Sequence, residues 1–322
     1  MFLRVVIMSL CLTIFVLLLQ SMVLTHAQDY KPVSKDIQDH WEGNGYSVKI
    51  YFDFAKGGAV QIFKDNKQVY LQKGFKFKLG LQSDDMPESK LVKPGKDITG
   101  DGVPDLVVSE WSGGAHCCFI YNVFSLGKEF KFIDQIENSH GYYGKFKDVD
   151  GDGVLEFLGH DFTFSYWHES FAGSPAPEII LDFKDGAYRL ALGKMKKPIN
   201  PLVYKSQLDE FRNASRDQAS LRLNKVGWER RGFVLPSMVW SYMLDLIYTG
   251  HPKEAWGFLQ DVWPKGKAGK ERFIKEFKEQ QSRSYYWDNL KSLIEQKDST
   301  ELTPTQTLSL SQRIRLLNLR MD

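Results

Sequence analysis

Beyond its first two dozen residues the chain has no apolar run long enough to span a bilayer. It has no Gly-x-Ser-x-Gly elbow, no phosphate-binding glycine loop and no dinucleotide fingerprint, so the common signatures of serine hydrolases, P-loop enzymes and nicotinamide enzymes are all missing. No His-Glu-x-x-His or other tight metal-ligand spacing occurs. Charge of one sign is also lacking. The 42 Lys and Arg nearly balance the 40 Asp and Glu, leaving a formal net charge of +2. That balance gives no electrostatic argument for nucleic acid or an anionic membrane surface as a partner. Cysteine is scarce, with three residues in 322.

What is present starts with the N-terminus. Arg4 precedes an apolar stretch, Val5–Leu19, followed by Gln20, Ser21 and Thr25-His26-Ala27. Small residues at Thr25 and Ala27 fit a signal-peptide cleavage site after Ala27. The competing reading is an uncleaved membrane anchor, but Gln20 and Ser21 interrupt the run before a full span is reached. Cleavage is the reading preferred, and it predicts a periplasmic or secreted protein. A membrane is then a partner only if the signal stays in place.

Export would leave Cys117 and Cys118 in a compartment where disulfides persist. A bond between these neighbours is the first reading. Adjacent Cα atoms lie about 3.8 Å apart, below the usual disulfide range, so such a ring is strained and easily reduced. Two buried free thiols, or metal ligation together with His116, remain as alternatives.

Two acidic nine-residue loops carry most of the information: Asp97-Ile-Thr-Gly-Asp101-Gly-Val-Pro-Asp105 and Asp148-Val-Asp-Gly-Asp152-Gly-Val-Leu-Glu156. Each has oxygen side chains at positions 1, 3, 5 and 9 and glycine at 4 and 6. A hard cation such as Ca²⁺ takes six to eight oxygens at roughly 2.3–2.6 Å, and glycine permits the sharp turns between them. Chance Asp-Gly turns do not explain the doubled pattern, so two structural Ca²⁺ sites are expected. An EF-hand is excluded, because its twelfth position would be Val108 or Gly159 and strand-like sequence follows each loop. The second loop has four carboxylates against three, with Thr99 standing at position 3 of the first. Ligand charge therefore predicts tighter binding at the second.

These loops, from Lys96 to about Asp161, resemble those of the FG-GAP and VCBS repeat proteins, which include the integrin α-subunit propellers. The residues that carry the likeness are Asp97, Thr99, Asp101 and Asp105, then Asp148, Asp150, Asp152 and Glu156. By that resemblance the carbonyls of Val103 and Val154 supply the seventh-position ligand, and each loop belongs to a propeller-blade-like unit. The family's Phe-Gly and Gly-Ala-Pro signature is absent. The β region of about 150 residues is also too short for even a four-bladed ring.

Apolar alternation and turn signals predict strands from Tyr46 to about Leu192, including Ala59–Phe63 paired with Gln68–Gln72, and Phe157–Phe164 after the second loop. Past Lys196-Lys197-Pro198 the spacing becomes helical. Ser237 is expected to cap a helix ended by Gly250, and Pro252 to open one ended by Pro264. Further helices are expected over Ala268–Arg283 and Tyr285–Gln296. The fold class is therefore α+β and multidomain. Residues 28–197 form a mostly antiparallel β domain with the two calcium-loop units, 198–297 a small α-helical bundle, and 298–322 a tail.

Two other regions compete for a functional role. Trp111-Ser-Gly-Gly-Ala-His-Cys-Cys-Phe119 reads first as a tight bulge and second as a ligand platform or redox spot. Tyr142, Tyr143, Phe164, Tyr166 and Trp167 crowd the second loop. They read first as a strand's core face and second, with Trp111 and His116, as an aromatic ligand surface. The sequence thus points to an exported, calcium-stabilised binding or interaction protein. Its expected partner is a protein or glycan of the envelope or extracellular space. The alternative is an envelope hydrolase or redox enzyme using His116-Cys117-Cys118 or a cluster of His140, His160 and His168.

Overall fold

A computed structural model describes residues 37–80, 92–114, 118–140, 144–214 and 235–294. The signal segment, the 298–322 tail, His116, Cys117, Tyr142 and Tyr143 lie outside the described residues. Three four-stranded antiparallel sheets and several helices make the chain α+β. Among the described residues no helix is long and apolar enough to cross a membrane.

The chain divides into two compact units, one ending at Gln135 and the other starting at Ile136. The first unit holds two meanders, except for the last two residues of the second one's final strand. Strands β1 (Ile37–Gly43), β2 (Tyr46–Asp53), β3 (Gly57–Lys64) and β4 (Lys67–Gly74) pair in sequence order. Their tight turns, Asn44-Gly45 and Asp65-Asn66, both have positive φ at the two central residues, as two-residue hairpins require. Strands β5 (Lys76–Leu79), β6 (Asp105–Trp111), β7 (Phe119–Leu126) and β8 (Phe130–Glu137) form the second meander. Alternation puts Tyr46, Val48, Ile50, Val60 and Ile62 on one inner face, against Phe77, Leu106, Val108, Phe124 and Leu126 on the other.

In the second unit, β9 (Lys145–Lys147), β10 (Glu156–His160), β11 (Glu178–Lys184) and β12 (Ala187–Leu190) form the third meander. Six α-helices follow among the described residues: α1 (Leu192–Met195), α2 (Pro201–Ala214), α3 (Ser237–Tyr248), α4 (Pro252–Val262), α5 (Lys270–Gln281) and α6 (Trp287–Ile294). The division between units thus falls well before the composition change near Lys197. The third sheet belongs with the helices, and the segment after β10 explains why. Phe164, 1% exposed, packs on Phe277 of α5 at 5.0 Å between ring centroids. Trp167 meets Trp240 of α3 at 5.3 Å.

That segment also corrects an expected strand. The strand after the second loop ends at His160 instead of continuing to Phe164. Asp161 turns the chain by accepting the Thr163 N–H at 2.9 Å, and Tyr166 and His168 have positive φ. A second correction concerns Ser237, which is the first residue of α3 and makes no side-chain cap; Pro236, in extended conformation, stands at the cap position.

Two acidic loops as candidate cation sites

Both acidic loops join the first and second strands of a four-stranded meander, β5 to β6 and β9 to β10. Their internal bonding matches position by position. In the first, Asp97 accepts the N–H groups of Gly100 at 2.7 Å and Gly102 at 2.8 Å. In the second, Asp148 accepts those of Gly151 at 2.6 Å and Gly153 at 3.1 Å. Asp101 and Asp152 each accept the N–H two residues on, from Val103 at 2.8 Å and Val154 at 2.9 Å. The ninth-position acid reaches back to the second residue: Asp105 Oδ2 accepts from Ile98 at 2.9 Å, Glu156 Oε2 from Val149 at 2.8 Å. The loops are closed alike at the base, by the Asp105 N–H to the Lys96 carbonyl at 3.1 Å and by Glu156 pairing with Lys147.

The other ninth-position oxygen separates the two. Asp105 is 1% exposed, and its Oδ2 also accepts from the Thr99 N–H and hydroxyl. Its Oδ1 is buried with no hydrogen-bond partner. Burial pushes the Asp105 carboxyl up to about 6, even though the donors from Ile98 and Thr99 pull the other way. A buried carboxylate oxygen aimed at nothing is the feature a bound cation would satisfy. The side chains at positions 1, 3, 5 and 9 of its loop are all hard oxygen donors, the kind that suits calcium.

In the second loop that cationic role is met from within the chain. Lys194 Nζ donates to Glu156 Oε1 in a short contact, to Asp150 Oδ2 at 2.9 Å and to Asp182 Oδ1 at 3.4 Å. Burial works against the ammonium charge, but the hydrogen bonds to Asp150 and Glu156 outweigh it and raise the Lys194 pKa. The hydrogen bond to Lys194 lowers that of Asp150. Among the described residues, one group of three acids has ligand atoms all within 4.8 Å of one another: Asp148, Asp150 and Glu156. Asp97, Asp101 and Asp105 do not converge to that degree.

Other sequence-predicted residues scatter. Phe164 is interior, so it does not belong to a ligand surface; it lies in the turn segment after β10, where strand alternation no longer applies. Tyr166 is 56% exposed and sits against His140 and Phe171. Trp111 packs edge-on against Phe75 at 5.3 Å. Cys118 is disulfide-bonded, and its N–H donates to Ser112 Oγ at 2.7 Å. His168 pairs with Glu276 at 3.4 Å, whereas His140 and His160 both lie against Phe162. Among the described residues the three histidines do not gather into a metal-ligand group.

Sequence reasoning missed two things. Lys194 and Asp182 had no signal, since a lysine 38 residues beyond Glu156 looks like any surface lysine. The other omission is a buried hub on Asp161. Its Oδ2 accepts from Tyr248 at 2.5 Å and Ser284 at 2.6 Å, and Gln281 donates to the Tyr248 hydroxyl at 2.7 Å. Burial and the Asp161 charge raise the Tyr248 pKa. Beside the hub lies a cavity of about 260 Å³, lined by Glu137, His160, Asp161, Arg283 and Tyr286 among others.

No family model matches the chain, and no solved structure matches it. A curated relative, the uncharacterized protein y4bJ of Sinorhizobium fredii (strain NBRC 101917 / NGR234), is 32% identical over 78 residues. Those residues are 24% of this chain and 12% of the relative's length.

Proposed function

We propose that this is an exported, calcium-stabilised binding or interaction protein whose acidic loops are of the FG-GAP/VCBS type. The observation that carries the reading is the Asp105 Oδ1 atom, buried and unpaired inside a loop of hard oxygen donors. A divalent ion would be held there by Asp97, Asp101 and Asp105 with Thr99 and the Val103 carbonyl. In the second loop, Asp148, Asp150, Asp152, Glu156 and the Val154 carbonyl would serve. The ion supplies charge neutralisation and rigidity. Binding only to the folded form stabilises that form by mass action. Placement of both loops between the first two strands of a four-stranded meander favours blade-like repeat units.

On this reading recognition uses Trp111 on the first unit and, separately, Tyr166 on the second, and the partner is a protein or glycan outside the cytoplasm. Cys117 is the expected disulfide partner of Cys118.

The test is calorimetric titration of the chelator-treated full chain with Ca²⁺, alongside its melting temperature. Saturation is expected to raise the melting temperature by several degrees, about 3 kcal/mol at a hundredfold excess over the dissociation constant. An unchanged melting temperature with no binding heat would overturn the reading. Stoichiometric zinc or copper in the purified protein would instead favour a metalloenzyme.

A further inference from the structure

The geometry points to Lys194 as a resident cation of the second acidic loop, which a divalent ion must displace before it can be bound there. This inference rests on the calcium reading for the loops and reverses the order of affinities that their carboxylate counts predict.

Three observations support it. First, the loops are equivalent in backbone bonding, from the Asp97 and Asp148 turns to the back-bonds of Asp105 and Glu156. Differences in cation binding then come from side chains, at position 3 and around the ninth-position acid. Second, both Glu156 oxygens are satisfied, Oε2 by the Val149 N–H and Oε1 by Lys194, while Asp105 Oδ1 has no partner. Third, the ammonium is built in. The Ala191 N–H donates to the Ile180 carbonyl of β11 at 2.8 Å, and buried Met195 anchors α1 on the other side of Lys194. Its three protons meet three carboxylates, Asp150, Glu156 and Asp182. Asp182 lies outside the loop, on β11, and so holds the lysine without being a loop ligand.

A hard divalent ion needs the oxygens of Asp150 and Glu156 that Lys194 now engages, and the ammonium cannot share them at bonding distance. If the lysine-free arrangement is populated a tenth of the time, the apparent affinity of the second loop falls about tenfold. The first loop has no such competitor among its described contacts. It is therefore the tighter site, and the second responds only at higher ion concentration.

The experiment is Ca²⁺ calorimetry on the full chain in an Asp97→Ala background, which isolates the second loop, with and without Lys194→Met. Melting in chelator is measured in parallel. Lys194→Met is expected to tighten the second loop about tenfold or more. It should also lower the chelated melting temperature by several degrees and let calcium restore it. Lys194→Arg, which keeps the charge, is expected to leave the loop weak. Equal affinities with and without the Lys194→Met substitution, or an unchanged chelated melting temperature, would overturn the inference and leave the calcium reading standing. Loss of all binding heat from the otherwise unaltered chain would sink the calcium reading, and the chelated melting comparison would still judge the lysine. Should the methionine variant not fold even with calcium, Asp182→Asn frees the ammonium without touching the loop. The expected result is then a second-loop affinity at least twofold higher, and no change counts against the proposal.

Discussion

The first and second acidic loops share a backbone and differ in their counter-charge. In one, a buried Asp105 oxygen has no hydrogen-bond partner. In the other, Lys194 lies against Glu156 and Asp150. Counting carboxylates ranks the second loop as the stronger cation trap. Counting satisfied oxygens ranks it as the weaker. A duplicated acidic motif therefore fixes loop shape, while residues far away in sequence decide which counter-charge its acids meet.

The sharpest way to break this comparison is to remove the second loop's buried acid. Glu156 is fully buried, and Glu156→Ala leaves the Val149 N–H without its partner and takes from the Lys194 ammonium its buried one. A loss of about 4 kcal/mol is expected by denaturant unfolding, in calcium and in chelator alike. A cost that vanishes in chelator would show that the ion, not the lysine, is what Glu156 serves.

Calcium removal should act mainly on the other loop. Chelation is expected to cost about 3 kcal/mol, and hydrogen exchange should place the change around Asp97–Asp105 before Asp148–Glu156. Uniform loss of protection at both loops would erase the distinction.

A smaller effect concerns pH in the ion-free protein. The Asp105 carboxyl is raised by burial to about 6 from 3.8, so the folded chain holds a proton that the unfolded chain has released. The stabilising contribution is fully present below the lower value and is lost as pH rises through about 6. Its full size is about 3 kcal/mol, and part of it is expressed across that window. Asp105→Asn should flatten the slope, and saturating calcium should reverse it. A rising stability over the same window in chelator would contradict the assignment.

The smallest effect should be symmetrical. Gly102 and Gly153 have φ of 78° and 90°, and a Cβ added at either would meet nothing within 4 Å. Alanine at either therefore costs only the backbone conformation, about 1 kcal/mol each by thermal melting. A large inequality would mean that the loops differ in shape as well as in charge.

Much of this was legible because local chemistry dictates it. The Asp-Gly turn at Asp185-Gly186 sets the β11–β12 hairpin, Pro252 opens α4, and positive φ at Gly250 stops the helix before it. Strand β1 was overlooked because Ile37–Gly43 is polar and half exposed, although Asn44-Gly45 is a strong hairpin signal. Helix α2 falls inside the expected helical domain but is not delimited by the sequence, because its exposed Leu202 and Val203 blur the apolar stripe. The loops themselves were readable, since spacing and glycine define them. Lys194, Asp182 and the Asp161 hub were not, because each depends on strand pairing or helix docking that brings distant residues together.

The Asp161 hub carries a consequence for biosynthesis. Its Ser284 donor lies 123 residues downstream and its Tyr248 donor 87. At ribosomal speeds of about 5–20 residues per second, the carboxylate emerges on the order of ten seconds before the last of these donors is made. Until Phe277 of α5 follows, the apolar ring of Phe164 lacks the partner on which it packs in the folded chain. Compaction of the segment after β10 therefore waits on the last helices of the chain.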